Sequence, residues 1–141
     1  RPERLKLELT ETLFMEEPDA ARETMLRVQA MGVRFSLDDF GTGYSSLSYL
    51  SCLPLDQLKI DQSFVRTLFE DTSNAVICAS IISLGRNLGL EVIAEGVETQ
   101  AHRDWLAAHG CHAYQGFLYS VPLPIPMLTQ LLVSYTCSAE L

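Results

Sequence analysis

Five short strand-like runs alternate with helical patterns, and this alternation constrains the fold more than any other feature of the chain. The predicted strands cover residues 5–10, 33–37, 57–61, 91–94 and 113–117. The predicted helices cover residues 18–31, 45–50, 74–88, 99–109 and 127–133. Strands separated by helices pair in parallel through right-handed crossovers. The pattern predicts an α/β fold, either an open doubly wound sheet or a (β/α) barrel.

Polar side chains fall at or near the C-terminal end of each predicted strand, and they favour the barrel. In a barrel these ends converge on one mouth, whereas an open sheet spreads them along an edge. A complete barrel needs roughly 250 residues, so we expect a partial TIM-type barrel of about five parallel βα units. Such an arc is either part of a larger domain or is completed by self-association. The six polar residues are Glu8, Asp38, Asp39, Lys59, Glu95 and Gln115.

Composition and charge exclude several classes of protein. Hydrophobic residues make up 48% of the chain and charged residues 20%, which is typical of a packed domain. The net charge of −8 argues against a general nucleic-acid-binding surface, so we expect no DNA contact. No apolar run approaches the roughly 18 residues of a membrane span, and we expect no membrane contact. The four cysteines form no CxxC pair, which indicates reduced thiols in the cytoplasm.

Asp38 and Asp39 are adjacent, directly after an apolar strand-like run and before Gly41 and Gly43. Two neighbouring carboxylates repel each other, and a bound cation commonly relieves that repulsion. The pair therefore indicates a metal site, with a solvated acidic loop as the alternative. His109, Cys111 and His112 also lie close together, but their spacing fits no standard zinc pattern.

Five motifs occur in an order and spacing that resemble a known family along nearly the whole chain. They are Glu8-Leu9-Thr10-Glu11, residues 38–47 (Asp38-Asp39-Phe40-Gly41-Thr42-Gly43-Tyr44-Ser45-Ser46-Leu47), Leu58-Lys59-Ile60-Asp61, Ala94-Glu95-Gly96-Val97-Glu98 and residues 115–122 (Gln115-Gly116-Phe117-Leu118-Tyr119-Ser120-Val121-Pro122). Together they resemble the C-terminal motifs of EAL-domain cyclic-di-GMP phosphodiesterases. The resemblance implies that residues 1–141 are the C-terminal part of a single EAL domain.

The resemblance implies a two-metal site. Glu8, Asp38, Asp39 and Glu95 would hold two divalent cations, with Asp38 bridging them. Oxygen-only ligands suit Mg²⁺ or Mn²⁺. Ca²⁺ is expected to be inhibitory, because it should hold substrate without turnover.

The resemblance also assigns roles around the metals, each with a plainer alternative. Lys59 would orient the nucleophilic water or offset developing negative charge; otherwise it is a surface lysine with a buried stem. Gln115 would position water or a phosphate oxygen; otherwise it is a buried amide bonded to backbone groups. Glu98 would support the metal cluster and Glu11 the loop after Asp38; otherwise both are acids favoured at helix N-termini.

The loop itself includes Gly41, Thr42 and Gly43, which would fold over the site. The glycines allow backbone angles that other residues avoid, and a merely structural turn is the alternative. The short predicted helix over 45–50 follows this loop. In the family that region couples dimerisation to loop placement, while ordinary barrel packing is the alternative.

The implied activity is hydrolysis of cyclic-di-GMP to linear pGpG in the intact protein. The family's Glu-Ala-Leu strand and a following asparagine are expected upstream of Arg1, so we expect this chain alone to hydrolyse little. The alternative is a non-catalytic cyclic-di-GMP-binding or protein-interaction module. We further expect a homodimer, a GGDEF or sensor domain upstream, and a parent protein that is either free or tethered to a membrane.

Overall fold

The computed structural model describes residues 1–10, 18–43 and 50–138, with side chains up to residue 133. A short 3₁₀ turn (Pro2–Arg4) precedes the first strand. The strands of this part of the chain are β1 (Lys6–Thr10), β2 (Arg34–Phe40), β3 (Gln57–Ile60), β4 (Glu91–Ala94) and β5 (Ala113–Tyr114). Its helices are α1 (Pro18–Gln29), α2 (Gln62–Arg66), α3 (Thr72–Asn87), α4 (Gln100–Ala108) and α5 (Ile125–Ser138).

The five strands form one parallel sheet in the order β1-β2-β3-β4-β5. Each strand is added on the same side of its predecessor, as in a (β/α) barrel. A doubly wound sheet instead reverses direction at a switch point. The prediction of an α/β fold with about five parallel βα units of a barrel is therefore confirmed. The open-sheet alternative does not fit this strand order.

The two faces of the sheet differ in chemistry. In β3, Leu58 and Ile60 have no exposed surface and belong to the main hydrophobic core. The alternate residues Gln57 and Lys59 point to the opposite face, since successive strand side chains alternate. The apolar face packs against the helices, and the polar face carries the candidate site. Other buried core residues are Phe35, Leu37, Val65, Cys78, Ile81, Ile82, Ala94 and Leu106.

Helix α3 covers this apolar face at very close range. A Cβ atom added at Gly85 would lie 2.2 Å from Val92 Cγ2 and 3.8 Å from Leu58 Cδ2. Only a residue without a side chain lets the helix approach β4 this closely. Asp71 caps the helix, accepting a hydrogen bond of 2.8 Å from the Ser73 amide.

Strand β2 contains a bulge at the two predicted metal ligands. Leu37 pairs with Leu58, and Phe40 pairs with Ile60, so Asp38 and Asp39 together face the single residue Lys59. Asp39 has a φ of 52°, in the left-handed region that few non-glycine residues adopt. The sequence predicted that β2 ends at Leu37. The strand instead continues through both aspartates to Phe40, because β3 accompanies it that far.

The remaining differences concern the ends of elements. Helix α1 ends at Gln29, two residues before the predicted end, in a tight turn with the Met31 amide bonded to the Val28 carbonyl at 3.0 Å. The Asp71 cap starts α3 two residues earlier than predicted. Strand β5 ends at Tyr114, three residues before the predicted end. The residues after it bond Val97 instead: the Val97 amide donates to the Gln115 carbonyl at 3.1 Å, and the Leu118 amide donates to the Val97 carbonyl at 3.0 Å.

Helix α2 was not predicted from the sequence. Its five residues are too few to show a helical period, and its start depends on Asp61. The Asp61 carboxylate accepts a hydrogen bond of 2.9 Å from the Ser63 amide. Helix α5 is longer than predicted, and it starts at Ile125. The predicted helix over 45–50 lies almost wholly outside the described residues.

Among the described residues, no helix is both long and apolar enough to cross a membrane. Cys52, Cys78 and Cys111 are free thiols, as the cysteine spacing predicted. Burial raises the pKa of Cys78 to about 12 and that of Cys111 to about 11. These two thiols are therefore unreactive core residues.

Candidate metal centre

Lys59 brings together carboxylates from three different strands. Its Nζ lies 3.1 Å from Glu8 Oε1, 2.9 Å from Asp38 Oδ1 and 2.7 Å from Glu95 Oε1. Glu8 lies on β1, Asp38 on β2, and Glu95 follows the last residue of β4. Parallel strands in this order bring their C-terminal ends to one edge, so residues far apart in sequence meet here.

The burial of Lys59 rules out the alternative that it is a surface lysine. Only 6% of its side chain is exposed. Burial by itself would lower its pKa, but hydrogen bonds to Glu95, Asp38 and Glu8 outweigh that effect and raise the pKa above the ordinary lysine value. Lys59 is therefore a fixed positive charge at the centre of an acidic cluster.

Three carboxylates of this cluster are close enough to bind one ion. Ligand atoms of Asp38, Asp39 and Glu95 all lie within 4.8 Å of one another. The β2 bulge makes this possible, because neighbouring residues of a regular strand point to opposite faces. Glu8 contacts Lys59 but is not in the group of three, and 53% of its side chain is exposed.

Two acids of the cluster, Asp39 and Glu95, have raised pKa values. Burial, followed by the charge of Asp38 and a hydrogen bond with Asp61, raises the pKa of Asp39. Burial also raises the pKa of Glu95, although the ammonium of Lys59 opposes this shift. Four carboxylates thus face one ammonium. This oxygen-only donor set with excess negative charge fits a divalent cation.

Gln115 contacts the acidic cluster directly, whereas Glu98 pairs with a residue outside it. Gln115 Nε2 donates a hydrogen bond of 2.6 Å to Glu95 Oε1, and Gln115 is exposed, which argues against the buried-amide alternative. The described partner of Glu98 is Arg66, at 3.0 Å between Arg66 Nε and Glu98 Oε1. Glu98 therefore lies beside the cluster and is held by a residue of α2.

The loop after β2 is described only as far as Gly43. Thr42 binds the Asp39 carbonyl through its amide at 3.3 Å and through its hydroxyl at 2.9 Å, which closes a turn on the second aspartate. A Cβ at Gly41 would lie 3.0 Å from the Phe64 ring, so this glycine packs against the core. Gly43 lies in an exposed bend. Glu11 lies outside the described residues.

Sequence reasoning missed Asp61 and Arg66. Burial would raise the pKa of Asp61, but hydrogen bonds from Ser63 and from Asp39 lower it. Asp39 and Asp61 form a carboxyl pair in which Asp39 holds the proton more tightly. The position of Asp61 directly after β3 was a usable signal. Arg66 gave none, because its role depends on a contact with a residue 32 positions away.

A cavity of about 530 Å³ opens beside the cluster. Glu95 and Gln115 form part of its wall, together with Arg66 and Glu98. Its far side is apolar and includes residues of α5. The apolar lining residues are Phe117, Val121, Pro122, Leu123, Leu128 and Leu131.

The histidine and cysteine group near α4 serves packing. Cys111 is buried, and its thiol donates to the carbonyls of Val92 at 3.5 Å and Ala113 at 3.3 Å. The His109 ring stacks on Trp105, with centroids 3.6 Å apart.

Comparison with known proteins identifies the family to which the chain is related. A family profile described as "EAL domain" matches residues 1–122. The chain is 47% identical over 127 residues to the bifunctional diguanylate cyclase/cyclic di-GMP phosphodiesterase MucR of Pseudomonas aeruginosa, covering 90% of this chain and 18% of MucR. It is 42% identical to the cyclic di-GMP phosphodiesterase NbdA of the same species, covering 96% of this chain and 17% of NbdA. The chain therefore spans less than a fifth of the length of these relatives.

Solved structures agree with the sequence relatives. The MucR phosphodiesterase in complex with c-di-GMP superposes with a TM-score of 0.86 at 47% identity, covering 90% of this chain and 51% of that one. A manganese and c-di-GMP complex of Klebsiella pneumoniae BlrP1 superposes with a TM-score of 0.78 at 37% identity, covering 86% of this chain and 31% of that one. By profile, sequence and structure, the chain belongs to the EAL domain family.

Proposed function

We propose that residues 1–141 are the C-terminal part of a single EAL domain, which hydrolyses cyclic-di-GMP to linear pGpG in the intact protein. The observation that carries this proposal is the cluster around Lys59, where carboxylates from separate strand ends meet beside a cavity. The names of MucR and NbdA as cyclic di-GMP phosphodiesterases support the substrate. The c-di-GMP complex of MucR supports it independently.

In this proposal Asp38, Asp39 and Glu95 hold two divalent cations, Mg²⁺ or Mn²⁺, and Glu8 completes the set from β1. When bound, such cations lower the pKa of a water and neutralise charge on a phosphodiester. The manganese and calcium complexes of BlrP1 support divalent cations as a class. An anionic substrate could not approach four carboxylates unless cations first reduced their negative field.

The protein's own groups then have distinct tasks. Lys59 holds Glu8, Asp38 and Glu95 together by offsetting their mutual repulsion, and it offers positive charge to the phosphate as negative charge develops. Gln115 fixes Glu95 through its amide and retains a second N–H for a water or a phosphate oxygen. Gly41, Thr42 and Gly43 begin the loop over the site. We propose that Glu11 holds this loop and that Glu98 supports the cluster from the side.

The test is hydrolysis of cyclic-di-GMP by the full-length protein that carries these residues, with Mg²⁺ or Mn²⁺. Asp38→Asn should reduce turnover by about 10³-fold or more, because it removes a carboxylate that would hold the cations. Asp104→Asn, on the outer surface of α4, is the matched control. A full-length protein that binds Mn²⁺ and cyclic-di-GMP yet forms no pGpG would refute the enzymatic proposal.

The second candidate is a non-catalytic cyclic-di-GMP-binding or protein-interaction module. One observation favours it: Lys59 already offsets part of the negative charge of Glu8, Asp38 and Glu95 without an added cation. We also propose that residues 1–141 alone hydrolyse little cyclic-di-GMP. Titration with Ca²⁺ in place of Mg²⁺ separates the candidates, since an enzyme should then bind without turnover and a sensor should behave identically with either ion.

The charge, the thiols and the exposed apolar residues of the chain bear on its partners. The net charge of −8 argues against DNA, and the free thiols are compatible with the cytoplasm. We propose a homodimer, because large apolar side chains of α5 are exposed. A cyclase or sensor domain upstream is proposed from the composite name of MucR.

A further inference from the structure

The segment that follows β4, residues 95–98, joins Glu95 to Glu98. Besides the hydrogen bond of 3.0 Å from the Leu118 amide to the Val97 carbonyl and the contacts of the Glu95 side chain with Lys59 and Gln115, it is held at three further points. The Glu95 amide donates to the Ile60 carbonyl at 3.1 Å, which ties the segment to β3. The Val97 amide donates to the Gln115 carbonyl at 3.1 Å, which ties it to the chain after β5. The third point is the ion pair between Glu98 and Arg66, at 3.0 Å.

The third point connects this segment to α2, and α2 begins three residues after Lys59. Gly96 lies between the two ion pairs and packs directly on α2: a Cβ there would lie 2.7 Å from Gln62 Cβ. The Lys59–Glu95 pair is on one side of this contact and the Arg66–Glu98 pair is on the other. Residues of β3 and α2 therefore contact the 95–98 segment in three places: the Lys59–Glu95 ion pair, the Arg66–Glu98 ion pair and the packing of Gly96 on Gln62.

We propose that the Arg66–Glu98 ion pair positions Glu95 for cation binding. Arg66 and Glu98 are positioning residues, because they act on the metal cluster through the backbone of residues 95–98. Removing either charge lets this segment move away from α2, and the Glu95 carboxylate then samples positions outside the cluster. The inference rests on the proposed function only in taking Glu95 as a metal ligand.

Because the Arg66–Glu98 ion pair is partly exposed, we expect it to hold the neighbouring segment and to contribute little to the stability of the whole domain. The side chains of Arg66 and Glu98 are 49% and 40% exposed, and they line the cavity beside Glu95 and Gln115. Exposed ion pairs contribute little to global stability. A pair at this place can nevertheless bias a short segment, because the free energy of opening four residues is much smaller than that of unfolding the domain.

Hydrogen exchange measured by NMR on the metal-free chain tests the proposal without any activity. We expect Arg66→Met and Glu98→Gln each to accelerate exchange of the Glu95 and Val97 amides by about two- to fivefold. The double variant should equal the single ones, because either change removes the same interaction. The reversed pair, Arg66→Glu with Glu98→Arg, should restore slow exchange.

Arg103→Met is the matched control, because it removes an exposed ion pair of similar length, 2.8 Å to Asp104, on α4. It should leave the Glu95 and Val97 amides unchanged. Equal exchange in Arg66→Met and Arg103→Met, or additive effects in the double variant, would overturn the proposal.

Mn²⁺ affinity by electron paramagnetic resonance is the second readout. Arg66→Met should weaken binding by about the same two- to fivefold factor, and the reversed pair should recover it. If no variant binds Mn²⁺, the proposed metal function fails, while the exchange data still decide whether the pair holds the segment.

Discussion

At the residue scale, Lys59 determines the electrostatics of the site. It contacts three carboxylates that would otherwise repel one another, and it is almost fully enclosed by them and by the sheet. A lysine in this place has two opposite effects on a cation. It holds three carboxylates together, but it also competes with a cation for the same oxygens.

Lys59→Met tests these opposing effects. We expect the metal-free chain to lose roughly 1.5–3 kcal/mol of unfolding free energy at pH 7, the range for hydrogen bonds between charged groups. We expect Mn²⁺ to bind at least as tightly, because the competing ammonium is gone, while hydrolysis by the full-length protein falls. Urea unfolding and Mn²⁺ titration measure the two effects.

Lys6→Met is the control for Lys59→Met. Lys6 pairs with Glu91 at 3.6 Å at the other end of the strands, so its loss should change neither Mn²⁺ binding nor hydrolysis. Weaker Mn²⁺ binding by Lys59→Met would mean that the lysine holds the carboxylates in place more than it competes with the cation.

The pH dependence of stability follows from Asp39 and Glu95. Their pKa values are raised in the folded chain, so the folded state binds these protons more tightly than the unfolded state does. The free energy of unfolding in EDTA should therefore fall as pH rises from below the ordinary values, 3.8 for Asp and 4.5 for Glu, through the raised ones. Asp61, with a lowered pKa, contributes the opposite slope at lower pH.

Urea unfolding across pH 3 to 7, with and without Mn²⁺, measures this slope. Asp39→Asn should flatten it, and Mn²⁺ should reverse it, because a cation favours the ionised acids. An unchanged slope in Asp39→Asn would show that Asp39 does not contribute to it.

At the element scale, the β2 bulge lets two adjacent residues at the end of one strand serve as candidate metal ligands on the same side of the sheet. Two residues of β2 face one residue of β3, so Asp38 and Asp39 both reach the group that includes Glu95. The left-handed φ of Asp39 is part of this geometry. Asp and Asn tolerate that conformation better than other non-glycine residues do.

Substitutions at Asp39 separate its backbone role from its charge. Asp39→Asn should preserve the bulge and leave the metal-free chain as stable as the original or more so, because a disfavoured charge is removed. Asp39→Ala should be about 1 kcal/mol less stable than Asp39→Asn, because alanine disfavours positive φ. Both should weaken Mn²⁺ binding equally. Equal thermal stability of the two variants would argue against strain at this position.

At the scale of the whole molecule, the described surface carries an unusual concentration of apolar side chains on α5 and beside it. No residue of Ile125–Ser138 is charged, although 20% of the chain is charged. Large exposed apolar areas commonly mark interaction surfaces. The most exposed of these side chains are Ile125, Phe117, Val133, Leu132, Val121 and Met127.

We therefore expect the chain to self-associate at micromolar concentration, and Leu132→Glu to shift it toward monomer. The glutamate should be tolerated in the monomer, because Leu132 is 58% exposed. Static light scattering measures the mass of each variant, and Arg22→Glu on α1 is the control for a general charge effect. A monodisperse monomer of the unaltered chain would contradict the homodimer proposal.

Much of the fold was predictable because it depends on local patterns. The periods of apolar residues, the cap at Thr99 and the glycines after helices place most element ends to within two or three residues. The exception is the end of α5, which was predicted near Val133 and lies at Ser138. Helix α2 was missed because five residues show no period. The end of β2 was placed too early because pairing with β3, and not the residues themselves, extends it.

By itself the sequence determined the alternation of strands and helices, the polar residue at each strand end and the likeness to the EAL domain family. These properties depend on the order of residues along the chain. The tertiary structure alone decided which groups meet: three carboxylates on Lys59, both aspartates on one side of a bulge, and Glu98 on Arg66. Such contacts depend on strand register and burial, which arise only when distant segments pack together.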